Sequence, residues 1–325
     1  MTADIDVGGK MVGKSNSKSF QGIFDGNGHT LTFNKKIDGK YIAPFHYAKN
    51  ATFKRLHTAG KVQEKDHIAG FERYGGIAGR ICGNCNFISC RSSVKLDLDY
   101  HTDKYDEQKV GNHGGFVGEI DYGTAIFINC LYDGAIDLRN QGGSGGFVGF
   151  IDYDDNLVTA NFINCLVAPT SVKLHYCTPC TTYVGGNKHN TSYSLHNCYY
   201  THKIDDREGI DATGMTNAEL IAALGNGWEE VDGKVVPKNM DYYTFTAGDG
   251  SSETPYQIAS STDWNHLASN ILMGANYSGK YFQLTQNIEV TETVSADGLP
   301  VNMLGVNKSL SFRGTFDGDG HTITI

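Results

Sequence analysis

The sequence predicts an all-β chain folded as a right-handed parallel β-helix, a β-solenoid with a few short capping or connecting helices. Two observations lead to this fold class. A unit of 33 to 40 residues recurs along the chain, and it contains short segments in which apolar and polar residues alternate. Glycine is also abundant, with 40 residues against 6 prolines and no collagen period, which is typical of many tight turns between short strands.

The repeat is clearest in three segments. They read GGIAGRI then FISC, GGFVGEI then FINC, and GGFVGFI then FINC, and weaker copies flank them. The anchor positions, separated by 34, 40, 35 and 33 residues, are Phe53, Phe87, Phe127, Phe162 and Leu195. One such unit cannot bury its own apolar face, but neighbours stacked about 4.8 Å apart build a continuous core. We therefore predict three strands and no helix per repeat, with the anchor side chains stacked inside.

A second column is predicted at a corner of the repeat. The aligned residues are Ser89, Asn129, Asn164 and Asn197, and a cysteine follows each of them. Asparagine tolerates left-handed backbone angles, so we expect a bend here with side chains bonded from one repeat to the next. The bend would turn Cys90, Cys130, Cys165 and Cys198 inward as small apolar filling.

The two ends of the chain repeat each other. FQGIFDGNGHTL from Phe20 and FRGTFDGDGHTI from Phe312 agree at eight of twelve positions. The predicted division is a β-helix module at 1–204 that lacks its N-terminal cap, a connector with one short helix at 205–240, and the truncated start of a second module at 241–325. Thr216 and Glu219 form a capping box for the connector helix, and Thr262 is the expected cap of a helix at 263–273 that covers the second stack. The chain is interpreted as a fragment of a longer tandem protein.

These motifs resemble a known family. The GGFVG…NC pattern, the FDGxGHTI segments and the NCYY segment at Asn197 are similar to the GLUG-motif repeats of bacterial surface proteins. The resemblance covers nearly the whole chain, although Ala43-Pro44 replaces the glycine pair in the first repeat. It implies a large secreted or wall-attached bacterial protein of the adhesin-like kind, with no family catalytic residue to carry over.

The composition limits the classes of partner that the chain is expected to bind. The net charge of −9 disfavours binding to nucleic acid, which requires clustered Lys and Arg. No segment approaches the roughly 20 apolar residues that span a bilayer. No phosphate loop, dinucleotide fingerprint or Ser-His-Asp signature is present, and we predict no cofactor.

The CxxC pairs raise the question of metal or disulfide chemistry. Cys82 and Cys85 form one pair, and Cys177 and Cys180 form the other. The pairs are too far apart in the sequence for a zinc ribbon, so no metal site is predicted. A local disulfide within each pair remains a candidate if the protein is exported.

Asp121 and Asp152 are the candidate catalytic residues. They occupy matching positions of adjacent repeats, so their carboxylates are expected about 5 Å apart, as in a retaining glycosidase. The alternative is an acidic pair tolerated at a turn. Glu119 is expected to form a weak surface ion pair with Arg80 of the preceding repeat.

Four loop tyrosines are the candidate ligand-binding residues because aromatic rings can stack on sugars. They are Tyr100, Tyr105, Tyr122 and Tyr153.

The favoured function is a non-catalytic extracellular or cell-surface scaffold that binds glycans or host surface proteins through its loops and adjoins further modules of the same chain. The alternative is a carbohydrate-active enzyme, a hydrolase or a lyase, that uses Asp121 and Asp152.

Overall fold

The computed structural model describes residues 1–36, 39–63, 72–98, 111–139, 143–152, 158–175, 180–187, 191–202, 204, 208–225, 227–240, 242–290, 304–305 and 310–325. The chain divides into two units, Met1–Asn239 and Met240–Ile325. Of the segment 205–240, predicted as a connector, all but the last residue therefore belongs to the first unit.

Short strands make up most of the first unit, together with helix α1 (Asn217–Leu224). The strands are β1 (Ile5–Asp6), β2 (Phe20–Asp25), β3 (Thr30–Lys36), β4 (Tyr41–Ile42), β5 (Phe45–Lys54), β6 (His57–Gln63), β7 (Glu72–Gly75), β8 (Ala78–Cys82), β9 (Cys85–Ile88), β10 (Arg91–Ser92), β11 (Lys95–Leu98), β12 (Gly111–Gly114), β13 (Val117–Tyr122), β14 (Thr124–Ile128), β15 (Leu131–Tyr132), β16 (Ala135–Arg139), β17 (Ser144–Gly145), β18 (Val148–Ile151), β19 (Val158–Ile163), β20 (Leu166–Val167), β21 (Ser171–His175), β22 (Cys180–Thr181), β23 (Val184–Asn187), β24 (Thr191–His196), β25 (Tyr199–Tyr200), β26 (Ile210–Asp211), β27 (Trp228–Val231) and β28 (Lys234–Pro237).

Three parallel sheets hold these strands, apart from the hairpin β27–β28. Among the described residues, sheet A has 11 strands and includes β6, sheet B has 10 strands and includes β5, and sheet C has five strands in the order β22-β17-β12-β7-β4. Each strand pairs with its equivalent in the neighbouring repeat, so Phe127 lies opposite both Phe87 and Phe162.

The prediction of a single right-handed β-helix is wrong. The described strands form several parallel sheets, and in two of them nine strands pair in one continuous curled row, from β21 through β6 to β26 in sheet A and from β23 through β5 to β24 in sheet B. Parallel sheets packed on one another, as in a sandwich, fit this arrangement. The cause lies in β5 and β6, which each pair with two strands of the next repeat and so join rows that the sequence pattern kept separate.

The count of three strands per repeat is also wrong. The repeat that contains Gly75 supplies five, from β7 to β11. The repeat spacing determines which residues stack, but it does not determine where the chain bends between them.

The predicted stacking of the core is confirmed. The rings of Phe87, Phe127 and Phe162 lie nearly parallel, with centroids 4.7 Å apart at each step. Phe116 and Phe147 form a second stack at 4.6 Å, edge-on to the first. The described core cysteines Cys90, Cys130, Cys165 and Cys198 are buried, as expected.

The predicted corner is confirmed as well. The φ angles of Ser89, Asn129, Asn164 and Asn197 are 48°, 50°, 51° and 53°, all in the left-handed region. Asn197 Nδ2 donates to Asn164 Oδ1 at 2.9 Å, and Asn164 Nδ2 donates to Asn129 Oδ1 at 3.3 Å. We call these four residues the corner column.

Helix α1 and the antiparallel hairpin β27–β28 cover apolar residues of sheet A. Leu131 and Leu166 pack with Leu220 of the helix and with Trp228 and Val235 of the hairpin. The predicted capping box is present, since Thr216 Oγ1 accepts from Glu219 N and the Glu219 carboxylate accepts from Thr216 N. The helix and the hairpin thereby give sheet A a second buried face.

The second unit contains helix α2 (Ser261–Leu272) and the strands β29 (Tyr256–Ile258), β30 (Tyr281–Leu284), β31 (Ile288–Glu289), β32 (Thr315–Asp317) and β33 (Ile323–Thr324). Strand β30 pairs in parallel with β29 and β32, and β31 pairs with β33. Helix α2 begins earlier than predicted, because Ser260 rather than Thr262 accepts from Asp263 N. Trp264 on this helix packs edge-on against Phe316. Neither described helix has the length and apolar character needed to cross a membrane.

Candidate functional site

The candidate site is a charged cluster on the outward side of sheet B. Alternation along β13 turns Ile120 into the core and leaves Glu119 and Asp121 on the opposite face. Arg80 of β8 lies directly opposite Glu119 in the parallel register. Asp152 follows β18, and its N–H donates to Ile120 O, which places it beside Asp121. Adjacent repeats therefore bring these four charged residues together.

Glu119 lies at the centre of this cluster and is buried, with 3% of its side chain exposed. It accepts hydrogen bonds from Arg73 Nε and from the Tyr41 hydroxyl, each at 3.1 Å, and it forms an ion pair with Arg80, whose Nε lies 3.0 Å away. The expected ion pair between Glu119 and Arg80 is therefore present, but it is buried and not at the surface as predicted. Arg73 on β7 and Tyr41 on β4, both in sheet C, enclose the carboxylate, and the sequence pattern gave no signal for either residue.

The electrostatics of the cluster follow from burial and from this pairing. Burial lowers the pKa of Arg73, and the charge of Glu119 offsets part of the shift. Burial also acts to lower the pKa of Arg80, but the hydrogen bond to Asp121 and the charge of Glu119 outweigh it, so the pKa is raised. Burial and the Glu119 charge together raise the pKa of Tyr41. The two guanidinium groups therefore stay charged beside the carboxylates.

Asp121 and Asp152, the predicted catalytic pair, are close together. One carboxylate oxygen from each, with one from Glu119, lies within 4.8 Å of the others. Asp121 is ion-paired with Arg80 Nη2. Three carboxylates this close could bind a divalent cation, but Arg73 and Arg80 already supply two positive charges to them. The arrangement is an ion-pair network in which two guanidinium groups offset most of the charge of three carboxylates.

Of the four predicted ligand-binding tyrosines, Tyr122 alone lies among the described residues. Tyr122 ends β13, is partly buried against the core, and lies with its ring centre 5.7 Å from Lys49 Nζ. Tyr100, Tyr105 and Tyr153 lie outside the described residues.

The candidate disulfide cysteines have different states. Cys82 and Cys85 are free buried thiols, so no disulfide joins them in the structure. Cys82 Sγ donates to Asn16 Oδ1 at 3.2 Å, and burial raises the pKa of Cys85 to about 12. Cys180 is disulfide-bonded. Cys177 lies outside the described residues.

The structure also brings together a serine, a histidine and an aspartate that have no recognisable spacing in the sequence. The His57 ring contacts Thr30 Oγ1 through Nδ1 at 3.1 Å and Ser93 Oγ through Nε2 at 2.9 Å, and the Ser93 hydroxyl donates to Asp133. In a catalytic triad the histidine lies between the serine and the acid, whereas here the serine lies between them. Burial, with the nearby Arg91 charge, lowers the pKa of His57 to about 4. This network is structural.

Comparisons with known proteins give little further information. No protein-family model matches the chain, and no curated protein matches it. One solved structure, described as a "putative immunoglobulin A1 protease from Bacteroides ovatus", is similar over 74% of this chain and 85% of that one, with 18% sequence identity and a TM-score of 0.47.

Proposed function

We propose that this chain is a non-catalytic scaffold module of a bacterial extracellular or cell-surface protein, of the adhesin-like kind. The observation that carries the proposal is the pairing of the acidic cluster. Asp121, one of the two candidate catalytic residues, and the neighbouring Glu119 are both bound by arginine, so these carboxylates are held in structural contacts.

The contacts of Arg80 can be compared with what sugar cleavage requires of a pair of carboxyl groups. A retaining glycosidase needs one carboxyl group that carries a proton and a second that attacks as a free carboxylate. Arg80 contacts both Glu119 and Asp121, so either residue would have to leave an ion pair before its carboxylate could act on a substrate. This arrangement favours the scaffold over the carbohydrate-active enzyme.

The interior of the first unit supports the same function. Stacked phenylalanines and a bonded asparagine column repeat along the chain, and these devices hold neighbouring repeats in register. A rigid stack of this kind carries loops at fixed spacing, which suits the binding of an extended partner such as a glycan or a host surface protein.

Export of the protein is part of the proposal. The resemblance to GLUG-motif surface proteins supports it, and so does the disulfide at Cys180, because disulfides persist in oxidising compartments. The net charge of −9 supports a partner other than nucleic acid.

The test is a polysaccharide panel combined with a glycan array. Purified protein should bind one or more glycans and release no reducing ends. Asp152→Asn should leave binding unchanged, as should Asp97→Asn, a matched control in which the acid pairs with Lys61 and Lys95 on a different sheet. Release of reducing ends by the wild type that is abolished in Asp152→Asn and retained in Asp97→Asn would establish the enzyme instead.

A further inference from the structure

A cavity of about 170 Å³ lies in the first unit, beside the Ser89 end of the corner column and the end of strand β28. One water molecule needs only about 15 Å³, so the space is an order of magnitude larger. The side chains that matter here are those of Arg55, Ser89, Arg91, Glu229 and Lys238, all of which line it.

The corner column is interrupted at this cavity. The side-chain amides of Asn197 and Asn164 each donate to the side-chain carbonyl oxygen of the asparagine one repeat earlier. The next position is Ser89, whose shorter side chain offers no such acceptor. As a result, Asn129 Nδ2 and Ser89 Oγ have no hydrogen-bond partner among the described residues, although the two residues are 0% and 6% exposed. Buried polar groups are seldom left unpaired, and Ser89 lines the cavity.

Three of the four charged residues that line the cavity are cationic, and two of these three are paired with carboxylates. Asp25 holds the Arg55 guanidinium at 2.7 Å and Asp133 holds that of Arg91 at 2.6 Å, which orients both groups at the cavity. Among the described residues Lys238 has no carboxylate within ion-pairing distance, so its ammonium is not neutralised. Glu229 is the opposing charge.

These observations fit one kind of ligand. Ser89, Arg91 and Lys238 all present hydrogen-bond donors, and two of them are cationic. Burial lowers the pKa of His57, in the same wall, to about 4, so this residue adds no charge to the cavity at neutral pH. A ligand with several acceptor oxygens and a negative charge would satisfy the Ser89 hydroxyl and the Lys238 ammonium together.

We infer that this cavity binds a single tetrahedral oxyanion, a sulfate or phosphate group, either free or at the end of a sugar. Lys238 supplies the principal charge, and Ser89 supplies a buried hydroxyl donor. The inference is independent of the proposed scaffold function, because it concerns a site that neither catalysis nor the loops would use.

The test is calorimetric titration of the full chain with sodium sulfate, with sodium phosphate and with glucose 6-sulfate, each against sodium chloride at equal ionic strength. Lys238→Gln and Ser89→Ala should each weaken binding about tenfold, the usual effect of one lost hydrogen bond to a charged group. Glu229→Gln should tighten binding, because it removes a like charge. Lys173→Gln is the matched control, since it removes the same charge from an exposed residue on β21 and should change affinity less than twofold.

Each result of the titrations either supports or overturns the proposed oxyanion site. Binding of any of the three probes that weakens in Lys238→Gln and Ser89→Ala, but not in Lys173→Gln, supports the site, and the tighter probe identifies a free or sugar-borne group. Absence of heat beyond that of chloride would show that the cavity holds only water. Binding that weakens equally in Lys238→Gln and Lys173→Gln would show general charge attraction and overturn the inference. Urea unfolding of Ser89→Ala confirms that the variant is folded.

Discussion

Replacement of Glu119 by glutamine tests whether the charged cluster stabilises the fold. Removal of one partner from a buried ion pair costs about 3–5 kcal/mol, because the other charge remains buried. Glutamine keeps an acceptor oxygen and Arg80 keeps Asp121, so we expect the lower end, about 3 kcal/mol. For a unit of this size, each kcal/mol lowers the melting temperature by about 2–4 °C, which predicts a decrease of about 6–12 °C.

The two tryptophans allow this effect to be located. Trp228 lies in the first unit and Trp264 in the second, so fluorescence in a Trp264→Phe background reports on the unit that contains Glu119. Asp97→Asn in the same background is the control, because it breaks more exposed pairs that are worth less than about 1 kcal/mol. A Glu119→Gln melting temperature within about 2 °C of the wild type would refute the structural role and reopen the question of catalysis.

Three further predictions concern the same unit. The pKa of His57 is about 4 in the folded protein and near 6.5 in the unfolded one, so the free energy of unfolding falls by up to about 3 kcal/mol as the pH decreases across that window. Urea unfolding at pH 7 and at pH 4.5 should show a smaller loss of stability in His57→Gln than in the wild type, and equal losses would contradict the assignment. Asn164→Ala should lower the free energy of unfolding by about 1 kcal/mol more than Asn164→Gly, because glycine tolerates the φ of 51° at this position. Equal urea midpoints for the two variants would exclude backbone strain as the cause. Cys82 and Cys85, buried with raised pKa values, should resist iodoacetamide at pH 8 until urea is added, and rapid native labelling would contradict their burial.

The sequence predicted the stacked interior because that information is local and repeated. Spacing alone placed Phe87, Phe127 and Phe162 in one column, and residue type alone placed Asn129 and Asn164 at a left-handed corner. Each of these predictions needs only the rule that equivalent positions of a repeat stack. The capping box of α1 is local in the same sense.

The charged cluster could not be predicted in this way. Arg73 reaches Glu119 from a different sheet across 46 residues, and Tyr41 reaches it across 78, so neither contact follows from the repeat register. The sheet arrangement failed for a related reason. Residues 45–54 form one unbroken strand that pairs with both β8 and β9, although the equivalent residues of later repeats form two strands. Whether a strand continues or bends at a given residue depends on the loops beside it, which vary between repeats.

The single serine of the corner column provides a last test, because it links stability to binding. Asn fits the left-handed backbone of residue 89, whose φ is 48°, and an added amide oxygen could accept from the unpaired Asn129 Nδ2. Ser89→Asn should therefore raise the free energy of unfolding by about 1 kcal/mol, the typical contribution of one hydrogen bond. The larger side chain should also occupy part of the cavity and weaken sulfate binding in calorimetry. A variant that is more stable and still binds sulfate as tightly as the wild type would show that the missing hydrogen bond of the corner column plays no part in sulfate binding. A variant that gains stability and loses sulfate binding would show that Ser89 keeps the cavity open and thereby lowers the stability of the fold.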